Sequence, residues 1–536
     1  MGKALLINPS YFRTYGSNEG GLAFPVYPVL SLATLAGQAL ERGHDVEILD
    51  LSYRRYDPSL IRSVIEEQRP DVVGITATTP LANQMRDISY IVKDVSDSIV
   101  TIGGGAHPTA LPGATLRQSA LDHVAAGEAD SCIADLLDGR SPSAIAGLHW
   151  LDGDEVAFTA GRLEENLDNL AMPAWQRYPM EGNQRITRLA ARYRPVATIE
   201  FSRGCVYQCD FCGSKNTMGR GYRKKSPERC AEELVRLASM GFREAVLVDD
   251  IFTSDTEWAT EVCEAIIRRA PGVAWSCTNG IRVDSADDEL FRLMRRAGCY
   301  RVYFGLESGS DAVLKAFGKG GRASIEQARR AIRSARDAGL EPNGFFLVGL
   351  TGDTVESMQD TIDFASAVDL DSMKCGICVP FPGTPMFDEL YARDRIKTLD
   401  WDAYTVYNEA DSIFDHPVLE WSTIREYFNR FYRQAYFRNP GFLLRRLRYV
   451  LRTHELFWNV FYTVKFALML WKPGSEPTDD EYAYDHVWRS SDLVVGEPLE
   501  RVVAPRSSRG GGATRRDGLV SVVLRTDRSG ERARTD

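Results

Sequence analysis

The sequence predicts an α/β chain: an N-terminal doubly wound parallel sheet, then a partial (β/α)6 barrel, then a helical C-terminal region. Three observations carry this prediction. Short apolar runs alternate with amphipathic stretches over residues 3–138, and the rhythm breaks over 139–197. From 198 it resumes as six further strand-and-helix units within about 185 residues, too few for a closed eightfold barrel.

Taken in order, KALLINP, DVEILDL, DVVGITATT, SIVTIGGG and HVAAGE have the length and apolar content of buried strands. The segments near 29–43, 58–68, 81–97 and 129–138 have helical spacing or length, so the units read βαβ and the sheet is parallel. Residues 139–197 are rich in Gly, Pro and Asp and contain a hairpin, LHWLDGDEVAF, and the turn-rich MPAWQRYPM. They are expected to form a linker with some structure of its own. TIEFSRG, EAVLVDD, VAWSCTN, YRVYFGLE, PNGFFLVGL and SMKCGICVPF are the expected barrel strands. Residues 400–490 are aromatic, basic and helical in pattern, and from about 499 Arg, Gly and Ser dominate, as in a disordered tail. The expected divisions are 1–140, 141–197, 198–385, 386–498 and 499–536.

A chain of 536 residues accommodates two or three domains at roughly 100–200 residues each. Hydrophobic content of 44% and charged content of 26% are ordinary for globular chains. Sixty-four basic against 74 acidic residues leave a net charge of −10, so no global positive field exists to hold nucleic acid. The N-terminus lacks an apolar signal segment and no run of 18 apolar residues occurs, which points to a soluble cytoplasmic protein. The aromatic stretch near 457–471 could touch a membrane, but Lys465 interrupts it, and a helix covering the open barrel is the plainer reading.

Ten cysteines are too sparse for a disulfide framework, yet Cys205, Cys209 and Cys212 crowd into eight residues of SRGCVYQCDFCGSK. Three thiolates in a C-x3-C-x2-C array can ligate three irons of a [4Fe–4S] cube and leave the fourth iron open to a non-protein ligand. A structural zinc site would want a fourth Cys or His nearby, and the nearest candidate, Cys230, lies in a helical stretch.

With Phe211 as the aromatic before the third cysteine, this motif at the start of a (β/α)6 barrel resembles the radical S-adenosylmethionine (SAM) superfamily over about residues 198–380. The resemblance implies that Cys205, Cys209 and Cys212 hold the cluster and that SAM chelates the open iron. It places Asp249 and Asp250 near the methionine amine, Glu307 and Ser308 near the ribose, and Gly344 and Gly349 against adenine. Each position has a plainer reading as well, since acids at strand ends also cap helices.

The first turn, NPSYFRTYGSNEGG, lacks G-x-G-x-x-G, which disfavours a dinucleotide. The order NPS, PVYPVLSLATLAGQALERGHDVEILD, GITATT, IGGGAHPTALP and AGEAD instead resembles the cobalamin-binding (B12-binding) domains that precede this class of barrel. Small residues at the strand ends, Thr76, Ala77, Thr78, Gly103, Gly104 and Gly105, leave room for a flat corrin, with Gly127 and Glu128 of AGEAD beside them. The D-x-H-x-x-G motif that ligates cobalt from below is absent, so the resemblance implies base-off cobalamin with no lower histidine. His107 is read either as a cobalt-facing residue or as a loop histidine bonded to backbone. A degenerate fold that has lost cobalamin is the alternative.

Cys375 and Cys378 of KCGIC sit three apart on a strand, so their side chains point to opposite faces and they read as buried thiols rather than a redox pair. Cys132, Cys230, Cys263, Cys277 and Cys299 read as core residues. The whole arrangement resembles the class B, cobalamin-dependent radical SAM methyltransferases. That implies methyl transfer from SAM through methylcobalamin to an unactivated carbon or phosphorus of a small molecule, often in natural-product biosynthesis, with electrons from a flavodoxin- or ferredoxin-type donor. The alternative is a non-methylating relative such as the anaerobic magnesium-protoporphyrin IX monomethyl ester cyclase. A non-catalytic cobalamin sensor would not carry the cysteine triad.

Overall fold

A computed structural model describes residues 1–12, 27–187, 190–269, 272–284, 287–319, 323–406 and 410–453, together with 457, 460 and 464. The aromatic stretch near 457–471 and the tail from 499 therefore lie, apart from Phe457, Val460 and Val464, outside the described residues. The elements run β1 (Lys3–Asn8), α1 (Leu30–Glu41), β2 (Asp45–Asp50), α2 (Pro58–Gln68), β3 (Val72–Thr76), α3 (Ala82–Val95), β4 (Val100–Gly104), α4 (Ala106–Ala110), α5 (Pro112–Arg117), β5 (His123–Ala125), α6 (Cys132–Leu137), β6 (Leu148–Asp152) and β7 (Glu155–Phe158). Then follow β8 (Val196–Ile199), β9 (Ser202–Arg203), α7 (Ser214–Met218), β10 (Arg223–Lys224), α8 (Pro227–Ser239), β11 (Glu244–Leu247), α9 (Thr256–Arg269), β12 (Ala274–Ile281), α10 (Asp288–Arg296) and β13 (Cys299–Glu307). The last are α11 (Ile325–Asp337), β14 (Glu341–Val348), α12 (Val355–Ala367), β15 (Ser372–Ile377), α13 (Pro385–Ala392), α14 (Trp421–Phe431) and α15 (Pro440–Thr453).

Among the described residues the first sheet has the order β2-β1-β3-β4-β5-β6-β7, with β1 to β5 parallel. The hairpin expected in the linker is present, but it does not stand apart. β6 pairs antiparallel with β5 and carries β7, so the segment after residue 140 extends the first sheet. The second sheet has the order β15-β14-β13-β12-β11-β8, parallel throughout, the six expected strands of a barrel left open between β8 and β15.

Local chemistry explains where the helices begin. Asp57 accepts from the Ser59 and Leu60 amides ahead of Pro58, and Ser226 accepts from Arg229 ahead of Pro227. Ser324 with Gln327 and Thr354 with Ser357 form reciprocal caps for α11 and α12. The layer between barrel sheet and helices is filled by Trp275, Phe252, Phe291, Phe304, Phe346 and Phe431, all essentially inaccessible.

An open barrel leaves the outer edge of β15 without a partner strand. Helix α14 continues into a π-helical stretch, Tyr432–Phe437, and its tyrosines take the missing strand's role. The Tyr432 hydroxyl accepts from the Cys375 amide at 3.0 Å and donates to the Cys375 carbonyl at 2.8 Å. The Tyr436 hydroxyl does the same at Met373, and the Ile377 amide donates to the Val406 carbonyl at 3.1 Å. The barrel edge is thus covered from 406 and 432–437, upstream of the stretch expected to cover it. Cys375 and Cys378 are buried free thiols, as are Cys132, Cys230, Cys263, Cys277 and Cys299.

The floor of the barrel, at the N-terminal ends of its strands, is closed by buried charge. Arg301 pairs with Glu341 at 3.2 Å, Arg192 reaches the same carboxylate, and Tyr300 donates to Glu244 at 2.6 Å. Any reaction site must therefore open at the opposite, C-terminal rim. Among the described residues no helix is long and apolar enough to cross a membrane.

Candidate active site

The cysteine loop leaves the barrel rim just after β9. Gly204 makes the turn with φ of +91°, and a Cβ there would stand 2.2 Å from the Gly221 carbonyl, so only glycine fits. Loops from across the rim hold the array: the Asp210 amide donates to the Phe317 carbonyl at 3.2 Å, and the Met386 amide donates to the Asp210 carbonyl at 3.1 Å. Gly318, at φ of +94°, packs so closely on Gln208 that a Cβ would lie 2.3 Å from its carbonyl. Phe211 leans on Phe317 with ring centroids 5.5 Å apart.

The Cys205, Cys209 and Cys212 thiols are half-buried. Burial pushes the Cys205 and Cys212 thiols up, and Asp250 adds to both, while Arg282 opposes it at Cys205 and Lys215 at Cys212. Such thiols ionise when a metal centre supplies the compensating charge. Among the described residues no three His, Cys, Asp or Glu side chains converge as ligands of a single ion do. Three thiols that each bind a different iron of a cube need no such convergence. The Arg282 guanidinium lies 3.5 Å from the ring centroid of Tyr207, inside the C-x3-C loop, and pairs with both oxygens of Asp284. The donor set therefore fits a cluster with a cation beside it.

Two adjacent aspartates were expected at the mouth, and the structure separates them. Asp249 is buried and accepts from the Phe201 amide at 2.7 Å and the Ser202 hydroxyl at 2.5 Å, with its carboxyl pushed up to about 8 by burial. It is a strut under the cysteine loop. Neighbours leaving an extended strand point to opposite sides, so Asp250 alone faces Cys205 and Cys212. Glu307, at φ of +53°, is near enough to Cys212 to raise it. The Ser308 hydroxyl is taken up internally, 3.3 Å from that of Thr361 and accepting from the Ser310 amide at 3.2 Å. Gly344 and Gly349 turn their missing side chains toward protein, Gly344 toward Leu306 and Leu370 and Gly349 toward Ile424, so packing already accounts for both glycines.

Across the rim stands the edge formed by β3 and β4. The Ala77 amide donates to the Gly104 carbonyl at 2.9 Å, and the His107 amide donates to the Ala77 carbonyl at 3.2 Å. The three glycines divide their work. A Cβ at Gly103 would strike Leu121, one at Gly105 would meet Ala77, and one at Gly104 would find nothing nearer than 4.0 Å. Thr78 and Gly105 are exposed along this edge, Thr76 and Gly104 partly so. The Gly127 amide donates to Thr109 at 3.0 Å. The His107 ring is fully buried, edge-on to Trp401 at 4.9 Å, and burial lowers it to about 3. The ring's contact is thus aromatic, where the sequence leaves a cobalt-facing and a backbone-bonded reading open.

Glu128 also departs from expectation. Its carboxylate accepts from Arg223, with one contact at 2.9 Å, and lies 3.4 Å from Arg203, so it joins the two halves instead of facing the open edge. Arg203 further donates to both oxygens of Asp130, at 2.7 and 2.9 Å, and to Glu200 at 2.7 Å. On the other side of the opening Trp401 packs on His107 and the Asn83 amide donates to Asp400 at 3.0 Å. Between these joints α7, directly after the cysteines, packs on α4, directly after the glycines. Arg203, Arg223, Arg282 and Trp401 were not singled out from the sequence. Only Arg203 and Arg223 left a trace there, as basic residues flanking the cysteine motif that complement the acids of AGEAD.

Comparison with known proteins agrees with this anatomy. The Radical SAM superfamily matches residues 199–365 and the B12 binding domain matches residues 23–137. An uncharacterized methyltransferase of Pyrococcus horikoshii, PH0819, is 32% identical over 385 residues, covering 70% of this chain and 82% of that protein. The anaerobic magnesium-protoporphyrin IX monomethyl ester cyclase of Rubrivivax gelatinosus is 29% identical over 423 residues, 75% of this chain and 72% of the cyclase. The fold resembles that of the radical SAM methyltransferase TsrM from Kitasatospora setae, solved with cobalamin and a [4Fe–4S] cluster, with a TM-score of 0.61 at 21% identity over 73% of this chain and 75% of that one. This chain belongs to the radical SAM enzymes that carry an N-terminal B12-binding domain.

Proposed function

We propose that the protein is a methyltransferase that carries a methyl group from SAM, by way of cobalamin, to an unactivated carbon or phosphorus of a small molecule, in natural-product biosynthesis. The observation that carries this reading is the packing of α7 on α4, which sets the cysteine loop against the open β3–β4 edge. When bound, the cluster with SAM supplies a carbon radical and cobalamin supplies a transferable methyl group.

The chain's own part is positional. Cys205, Cys209 and Cys212 would hold the cluster, with Phe211 on Phe317 shielding one side of the loop. Asp250 and Glu307 face the thiols and would accept from the amine and hydroxyl groups of SAM. Asp249 and Ser308 hold the loops that carry them. Thr76, Thr78, Gly104 and Gly105 line this edge, and with Ala77 beneath them they add little bulk, as a flat macrocycle requires. Burial of His107 behind Trp401 supports cobalamin bound without the His107 imidazole beneath the cobalt. Electrons would come from a flavodoxin- or ferredoxin-type donor.

The test is anaerobic: reconstitute with iron, sulfide and cobalamin, add reductant and methyl-labelled SAM, and follow the label by mass spectrometry. Label on cobalamin with S-adenosylhomocysteine and 5′-deoxyadenosine is expected. 5′-Deoxyadenosine alone would overturn methyl transfer in favour of chemistry like that of the related cyclase. In parallel, the Cys205→Ala, Cys209→Ala, Cys212→Ala triple variant should lose its iron, and iron kept at the original stoichiometry would refute the ligand assignment.

A further inference from the structure

Helix α15 has two unlike faces. Phe442, Tyr449 and Val450 are buried, and Arg445 anchors the helix beneath the barrel by donating to the Val368 and Leu370 carbonyls at 3.3 Å and pairing with Asp369 at 2.8 Å. Those partners immediately precede β15, so the helix lies at the floor of the barrel, away from the cysteine loop. The opposite face presents Leu443, Leu444, Leu447 and Leu451, exposed by 46%, 48%, 49% and 61%. Their spacing of one, four and eight residues from the first makes a single stripe along the helix. Arg448, also exposed, flanks it.

The helix's own sequence is one-sided in charge. Residues 438–454 contain Arg438, Arg445, Arg446, Arg448 and Arg452 and neither Asp nor Glu, in a chain whose net charge is −10. We propose that α15 docks the protein on an anionic lipid surface, lying in the interface with its leucines at the acyl boundary and the exposed Arg438 and Arg448 among the phosphates. Arg445, Arg446 and Arg448 interrupt its apolar residues within one turn, and no described helix is long and apolar enough to cross a bilayer, so α15 is placed on the surface. A second copy of this chain fits the stripe less well, because two-fold pairing would bring arginine-rich flanks of like charge together. The active-site rim would then face away from the membrane.

The experiment mixes the reconstituted 536-residue chain with vesicles of phosphatidylcholine alone or phosphatidylcholine with phosphatidylglycerol, followed by sedimentation. At low salt, binding to the phosphatidylglycerol vesicles should exceed binding to phosphatidylcholine by about tenfold or more and should weaken as salt is added. The Leu447→Asp, Leu451→Asp double variant should fall to the phosphatidylcholine level while keeping its iron and cobalamin. Val418→Asp, at a residue 69% exposed outside this helix, should bind like the wild type. The proposal is overturned if phosphatidylglycerol makes no difference or if the leucine variant pellets like the wild type. It is equally overturned if the wild type is a dimer that the leucine variant splits without any loss of vesicle binding.

Discussion

The N-terminal domain meets the two free edges of the barrel in opposite ways. On the β8 side the joint is ionic: Arg203 and Arg223 are buried among Glu128, Asp130 and Glu200. On the β15 side it is aromatic: Trp401, wholly inaccessible, lies between His107 and Tyr404, with one flanking hydrogen bond from Asn83 to Asp400. Buried ion pairs add little net stability, because desolvation offsets most of their attraction, but they tolerate only one geometry. Aromatic burial stabilises strongly and is less exacting in direction. The directional joint begins two residues before Cys205, where the position of the cysteine loop relative to the β3–β4 edge is set. The adhesive joint lies at the far side, where the C-terminal segment needs to be held down.

That contrast can be broken from either side. Glu128→Ala would leave Arg203 and Arg223 short of a buried partner and should cost about 3–5 kcal/mol in urea unfolding. It should also lower cobalamin-dependent turnover more than iron content, since the thiols themselves are untouched. Trp401→Ala removes the largest side chain of the aromatic joint and should cost about 3–4 kcal/mol by the same measurement, with a milder loss of turnover. If the two variants lose turnover in equal proportion to stability, the directional role of the ionic joint is refuted.

A smaller effect depends on pH. His107 has its folded value lowered to about 3 from an ordinary 6.5, so between these limits the unfolded chain binds the proton and the folded one does not. Stability from this group is complete above pH 6.5 and is lost as pH falls toward 3, by about 2 kcal/mol between pH 6.5 and pH 5. His107→Phe should flatten that part of the stability profile, and an unchanged slope would show that the imidazole is protonated or hydrated in the folded state. Least of all, Asn83→Ala should cost about 0.5–1.5 kcal/mol, the usual contribution of one partly buried hydrogen bond.

Much of the architecture was legible in the linear chain because its signals are local. Strand-length apolar runs, capped helix starts and the three cysteines each depend on residues within a few positions of one another. The hairpin at 148–158 was legible as a hairpin, but its attachment to β5 was not, since edge pairing depends on which strand end is left open. Asp249 and Asp250 looked equivalent as letters, although strand alternation already implied that only one could face the rim. Glu128 looked like a cofactor residue because it follows Gly127 at a strand end, and only its meeting with Arg223, 95 residues away, gave the carboxylate its partner.

By itself the sequence determined the order of sheets, the family and the cysteine triad proposed to bind the cluster, because periodicity and close spacing survive without a third dimension. Tertiary structure alone decided which strand-end residues face the opening, that tyrosine hydroxyls complete the β15 edge, and that His107 is sealed behind Trp401. Each of these depends on residues tens to hundreds of positions apart arriving at one place, and burial and pairing energies, which no local pattern encodes, select that arrangement.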